Sequence, residues 1–250
     1  ILGNAFIDPE MVTHLPAVYY YFGLLEKEQL QMVQPVVDAF LENIEANNSV
    51  EAKRKWVALV SLLLFITHQK HGYNFLRDQI PLGNYKPYLN TPGVPRALHV
   101  GSLPYWAVNV TVNEKLSPDF LSSSIPMLET LLEHYRVLVY CGQLDLMLPC
   151  VYASENYRKL RWNGSLQFLE ASRYPYIYKG HLWGYHKSGG NLTEVLIRGA
   201  GHMVPMDAPA PAMNMISQWT RGLPISLRYG QYNGSFVEEY VKNHTSTFFL

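Results

Sequence analysis

Arg198–Pro209 reads RGAGHMVPMDAP, and Tyr140–Pro149 reads YCGQLDLMLP. Each stretch follows a short apolar run, Glu194-Val195-Leu196-Ile197-Arg198 before the first and Val137-Leu138-Val139-Tyr140-Cys141 before the second. A continuous apolar run of this length suits a strand covered on both faces of a sheet. Each loop then delivers one ionisable side chain just past a strand end, His202 in one case and Asp145 in the other. In α/β sheets, functional groups gather on loops at the carboxyl ends of strands. Glycines beside His202 let the chain turn sharply there.

Working outward, the spacing predicts a helix over 151–160. Asp207-Ala208-Pro209 predicts a further helix start, with Asp207 as N-cap and proline in the first turn. Ala212, Met215, Ile216 and Trp219 recur at i, i+3, i+4 and i+7 and form its buried face. Strand, helix, strand, helix makes residues 96–222 the core of an α/β sheet. Residues 1–10 read as the end of a core strand followed by turns at Gly3-Asn4 and Asp8-Pro9. Residues 11–95 read as a helical insertion able to cover a site. It has an amphipathic stretch over 24–44 that Pro35 interrupts, a helix over 51–68, and a proline-rich loop over 83–95. Residues 223–250 are a polar, aromatic-tipped tail.

Asp before His on successive sheet loops is the order of the last two members of a Ser-Asp-His triad on an α/β-hydrolase sheet. The chemistry needs an imidazole that takes a proton from a serine hydroxyl and returns it to the leaving group. It also needs a buried carboxylate that fixes the imidazole tautomer. On spacing alone, Asp145 reads equally well as a turn residue or cap, and His202 as an ordinary loop histidine.

The wording of the loops goes further. Both stretches resemble the Asp and His motifs of the serine carboxypeptidase family, the longest match being Gly-His-Met-Val-Pro-x-Asp-x-Pro. Ile1–Pro9 (ILGNAFIDP), Tyr73–Leu76 (YNFL) and Pro92–Val100 (PGVPRALHV) resemble other segments of that family. Within it the wording is most similar to the vitellogenic-like carboxypeptidases, over about residues 1–222. The resemblance implies the C-terminal portion of an α/β-hydrolase fold with a helical lid. It implies Asp145 as triad acid and His202 as general base. It also implies Met203, with Leu148, as lining for the departing C-terminal residue. Peptide or protein C-termini are the implied substrate, attacked through an acyl-enzyme, and no metal or organic cofactor is implied.

The family's nucleophile lies in a G-x-S-x-G elbow, and no such pattern occurs in these 250 residues. The chain opens on Ile1 and shows no signal peptide. The expectation is a processed chain or a piece, whose partner is the N-terminal half of the same protein. By itself it should be inactive and poorly stable. A homodimer is an open option. Acyl transfer by the same acyl-enzyme, or a binding or protective glycoprotein without catalysis, are the rival readings.

Net charge is zero at 48% hydrophobic residues, which speaks against a nucleic-acid partner. The longest apolar run, 56–66, is too short to span a bilayer. Six Asn-x-Ser/Thr acceptors, at Asn47, Asn109, Asn163, Asn191, Asn233 and Asn243, suggest a secreted or lysosomal glycoprotein. Cys141 and Cys150 flank the Asp145 loop. Pairing is geometrically open to them but would constrain that loop, and free, buried cysteines are the expectation. His68 and His71, on the end of a helix, and His181 and His186 lack a third metal ligand and read as ordinary polar histidines. Tyr19–Phe22 reads as packing of the core or lid.

Overall fold

The computed structural model describes residues 1–80, 83 and 85–226. Its centre is a five-stranded sheet. The strands are β1 (Leu2–Gly3), β2 (Val137–Gly142), β3 (Arg173–Tyr178), β4 (His181–Gly189) and β5 (Leu192–Ile197), in the spatial order β1-β2-β5-β4-β3. β2 runs parallel to both β1 and β5, pairing Val137 with Leu192 and Gly142 with Ile197. β4 and β3 extend the sheet antiparallel. The expected α/β architecture is thus present, with a mixed sheet.

β2 reads as unbroken apolar sequence because both of its faces are covered. Val137 and Val139 pack into one cluster with Leu132, Tyr157 and Phe168. Leu138, between them, packs into the cluster on the opposite face with Val195, Val204 and Met215. Alternate residues of a strand point to opposite faces, so two cores demand an apolar residue at every position.

The antiparallel hairpin formed by β3 and β4 carries no element in the sequence reading. Its turn is Lys179-Gly180, and both residues have positive φ, 50° and 77°. Two-residue hairpin turns of this kind need positive φ at both central positions. Pro175 is tolerated because β3 lies on the sheet edge.

The segment between β1 and β2 is mainly helical. Two long helices, Lys27–Glu45 and Ser49–Ile66, pack against each other around Val33, Val37, Phe40, Leu59 and Leu63. Leu146 of the Asp145 loop belongs to the same cluster, so the helical part is welded to that loop. Several expectations are corrected here. Pro35 does not interrupt its helix, which continues for 19 residues. Pro35 is exposed, so water can satisfy the carbonyl left without a donor. The second helix ends at Ile66, which leaves His68 and His71 in the loop beyond it. The 83–95 region contains short helices, Tyr85–Leu89 and the beginning of Val94–Ala97. Of the four aromatic residues at 19–22, only Tyr19 is buried, while Tyr20, Tyr21 and Phe22 are exposed.

Asp207 does not cap the helix Pro209–Thr220. It ends a short helix of its own, Val204–Asp207, and Ala208 stands at the cap position. Cys141 and Cys150 are not free. They form a disulfide with Cα atoms 5.6 Å apart, joining the end of β2 to the first residue of the helix Cys150–Lys159. The two cysteines are nine residues apart, so the bond closes the Asp145 loop at its base.

Two outcomes follow from this architecture. Replacing both cysteines by alanine should lower stability by about 2–3 kcal/mol, the loop entropy of a closure of about ten residues. Urea unfolding of the oxidised and variant proteins measures this, and equal midpoints would contradict it. Tyr19, Tyr157 and Tyr176 have hydroxyls pushed well above their ordinary value of 10.0 by burial, with added repulsion from Asp145 at Tyr19 and Glu194 at Tyr157. Because the folded value exceeds the unfolded one, this stability is whole below pH about 10 and is lost as pH climbs further. Tyrosinate absorbance should therefore lag in these residues and appear together with loss of helical circular dichroism.

Candidate active site

β2 and β5 are parallel neighbours, so the loops after them leave the same end of the sheet. The loops touch through backbone. Gln143 N donates to the Ile197 carbonyl at 2.9 Å and Leu144 N to the Ala200 carbonyl at 2.8 Å. A Cβ on Gly142 would collide with the carbonyls of Ala200 and Gly201. Only glycine permits this approach. Gly199, at φ 70°, turns the second chain back over the first.

This packing brings Asp145 and His202 together across 57 residues, with Asp145 Oδ2 2.8 Å from His202 Nδ1. The carboxylate side chain has no solvent exposure, whereas the His202 side chain is 27% exposed. A bond at Nδ1 leaves Nε2 as the ring nitrogen open to a second partner. Asp145 Oδ1 accepts from the backbone N–H groups of Met147, at 2.7 Å, and Leu148, at 3.1 Å. Oδ2 also accepts from Asn4 Nδ2 at 2.6 Å. Four donors thus surround one buried carboxylate. They hold it aimed, since a buried polar group needs its hydrogen bonds satisfied.

Asn4 is a residue that sequence reasoning treats merely as part of a turn. It is buried, sits at the end of β1 with φ 45°, and donates its backbone N–H to the Tyr140 carbonyl at 2.8 Å. Asn is among the few residues that adopt this left-handed conformation readily. The Gly-Asn pair directly after a strand was the available signal.

Met203 lines a small recess with His71, Tyr73, Asn74, Arg77 and Met206. Leu148 does not line it. Its side chain is half-buried and packs against the cluster beneath β2. The Tyr73 ring meets the His202 ring edge-on, with centroids 5.3 Å apart.

Among the sequon asparagines, Asn47 and Asn109 are exposed, and Asn109 caps the helix Val110–Lys115 through its side-chain oxygen. Asn163 is exposed, and its Nδ2 donates to Glu133 at 2.6 Å. Asn191 is half-buried, and its Nδ2 donates to the Leu132 carbonyl at 2.8 Å. Asn233, Asn243 and the tail from residue 227 onward lie outside the described residues. No described helix is long and apolar enough to cross a membrane.

The chain is 29% identical to the venom serine carboxypeptidase of Apis mellifera, over 88% of its own length and 49% of the relative's. It is 30% identical to the probable serine carboxypeptidase CPVL of Homo sapiens, with the same coverage of each chain. Over a shorter stretch, 53% of the chain and 29% of the relative, identity with the vitellogenic carboxypeptidase of Aedes aegypti reaches 41%. The chain therefore spans about half the length of the curated relatives that it matches over most of its own. Among solved structures, the prohormone-processing carboxypeptidase Kex1(Δ)p from Saccharomyces cerevisiae superposes with a TM-score of 0.70 at 22% identity. That match covers 93% of this chain and 55% of the other. A profile of the family described as serine carboxypeptidase matches residues 1–222, and the chain belongs to that family.

Proposed function

We propose that this chain supplies the acid and the base of a Ser-Asp-His relay in a serine-type carboxypeptidase that releases C-terminal residues from peptides. The observation that carries the reading is the 2.8 Å contact from a fully buried Asp145 carboxylate to His202 Nδ1. In the proposed reaction, His202 Nε2 takes the proton of a serine hydroxyl as that oxygen attacks the terminal peptide carbonyl. Asp145 stabilises the imidazolium, which then protonates the departing amine. Water, deprotonated by the same imidazole, hydrolyses the acyl-enzyme.

The serine and the oxyanion-stabilising donors come from outside these 250 residues, which hold no G-x-S-x-G elbow. Met203, beside the base, would border the pocket of the leaving residue. The helical segment over 11–95 would act as the lid, and residues 96–222 as the second half of the catalytic sheet. The relay needs no metal or organic cofactor. The sequons support passage through the secretory route, to a secreted or lysosomal destination.

In the full-length protein, His202→Ala and Asp145→Asn should each lower kcat by roughly 10³–10⁴. Asn4→Ala, which removes one of four donors to the carboxylate, should lower it by about 10-fold, as expected for a hydrogen bond to a charged group. Release of the terminal amino acid from a blocked dipeptide is the measurement. Full activity of the His202 variant would end the reading.

Glycosylation is expected at Asn47 and Asn109, which are exposed and whose side-chain nitrogens make no bond like that of Asn191 among the described residues. Asn191 should stay unmodified, because its side chain is half-buried and its Nδ2 is held against the Leu132 carbonyl. Mass mapping of peptides after enzymatic deglycosylation separates these sites. Quantitative modification at Asn191 would contradict the assignment.

A further inference from the structure

Residues 72–75 pass between the two loops of the site and bond to both. Toward Asp145, Leu146 N donates to the Gly72 carbonyl at 2.9 Å and Phe75 N to the Leu144 carbonyl at 3.3 Å. Toward His202, the His202 backbone N–H donates to the Tyr73 carbonyl at 2.6 Å. A Cβ on Gly201 would collide with the Tyr73 carbonyl and the Asn74 side chain, so the wedge sits directly against the His loop.

Asp207 locks this wedge in place. Its side chain is 2% exposed. The carboxylate accepts from the Gly201 backbone N–H at 2.7 Å and from Asn74 Nδ2 at 2.8 Å, and it pairs with Arg77 at 3.1 Å. One anion therefore grips the residue that precedes His202 and the residue that follows Tyr73. A carboxylate so buried must keep its donors close, because leaving it unpaired is costly. Asp207 touches neither His202 nor Asp145 by any of these bonds, and its effect on them runs through Gly201 and the wedge.

We propose that Asp207 is a positioning residue: through Gly201 and Asn74 it fixes the His202 ring at bonding distance from Asp145. The inference rests on the reading of His202 as general base. A ring displaced by about 1 Å from a productive geometry costs up to about 100-fold in rate.

The test uses Asp207→Asn and Asn74→Ala in the full-length protein. Each should lower kcat by about 10- to 100-fold with KM changed less than about threefold, the pattern of a misplaced reacting group with substrate binding intact. In parallel, the proton resonance of His202 Nδ1–H bonded to Asp145 should shift or broaden in both variants. Should Asp207→Asn fail to fold, Asn74→Ala decides, because it keeps the carboxylate with its Gly201 and Arg77 partners. Folded variants with unchanged kcat and an unchanged Nδ1–H resonance would overturn the proposal. An inactive wild-type protein would instead overturn the peptidase reading. The resonance comparison would still report whether Asp207 holds the ring.

Discussion

A carboxylate with no solvent exposure is the constraint on which the rest of the site depends. Taking an ionised carboxylate out of water costs several kcal/mol, and only close donors repay it. Asp145 receives them from three separate parts of the chain. Asn4 arrives from the end of β1, the amides of Met147 and Leu148 from its own loop, and His202 from the loop after β5. Each of these segments has a backbone reason to be where it is, and the carboxylate gives them a common target.

The sheet supplies the coarse alignment. Two parallel strands in register deliver two loops to one edge, and glycines at 142 and 201 let backbone meet backbone. The helical segment then contributes more than cover. The stretch after its second long helix, residues 72–75, bonds to both loops, and Leu146 ties the Asp145 loop into the helical core. Site geometry and lid packing therefore share residues, and a disturbance in either reaches the other.

What could be read beforehand followed physical principle. β2 was legible because burial on both faces forces an unbroken apolar run, β5 from the shorter apolar run Val195-Leu196-Ile197, and the loops after them because strand ends carry function. The pairing of Asp145 with His202 rested on motif wording, since spacing alone leaves each residue an ordinary alternative. The edge hairpin escaped because its pattern mixes aromatic, charged and proline residues over a half-exposed surface. Pro35 misled because propensity is local, while the packing of Val33, Val37 and Phe40 is not. Asp207 misled for a similar reason. Its position before a proline suits a cap, yet its donors lie at Asn74 and Arg77, 133 and 130 residues away in sequence. Long-range polar contacts leave no periodic trace, so the contacts of Asn74 and Asp207 emerge only from coordinates, and Asn4 carried no signal beyond its Gly-Asn pair.

The covalent bond between Cys141 and Cys150 carries a practical corollary for anyone who makes this protein. Thiol-rich cytosol keeps cysteine pairs open, whereas the endoplasmic reticulum and the periplasm oxidise them. A preparation from an ordinary bacterial cytoplasm would hold two thiols beside the loop that carries the buried acid, and that loop would lose its tether. Choice of expression host is thus a structural variable here, and material from a reducing host is not equivalent to material from an oxidising one.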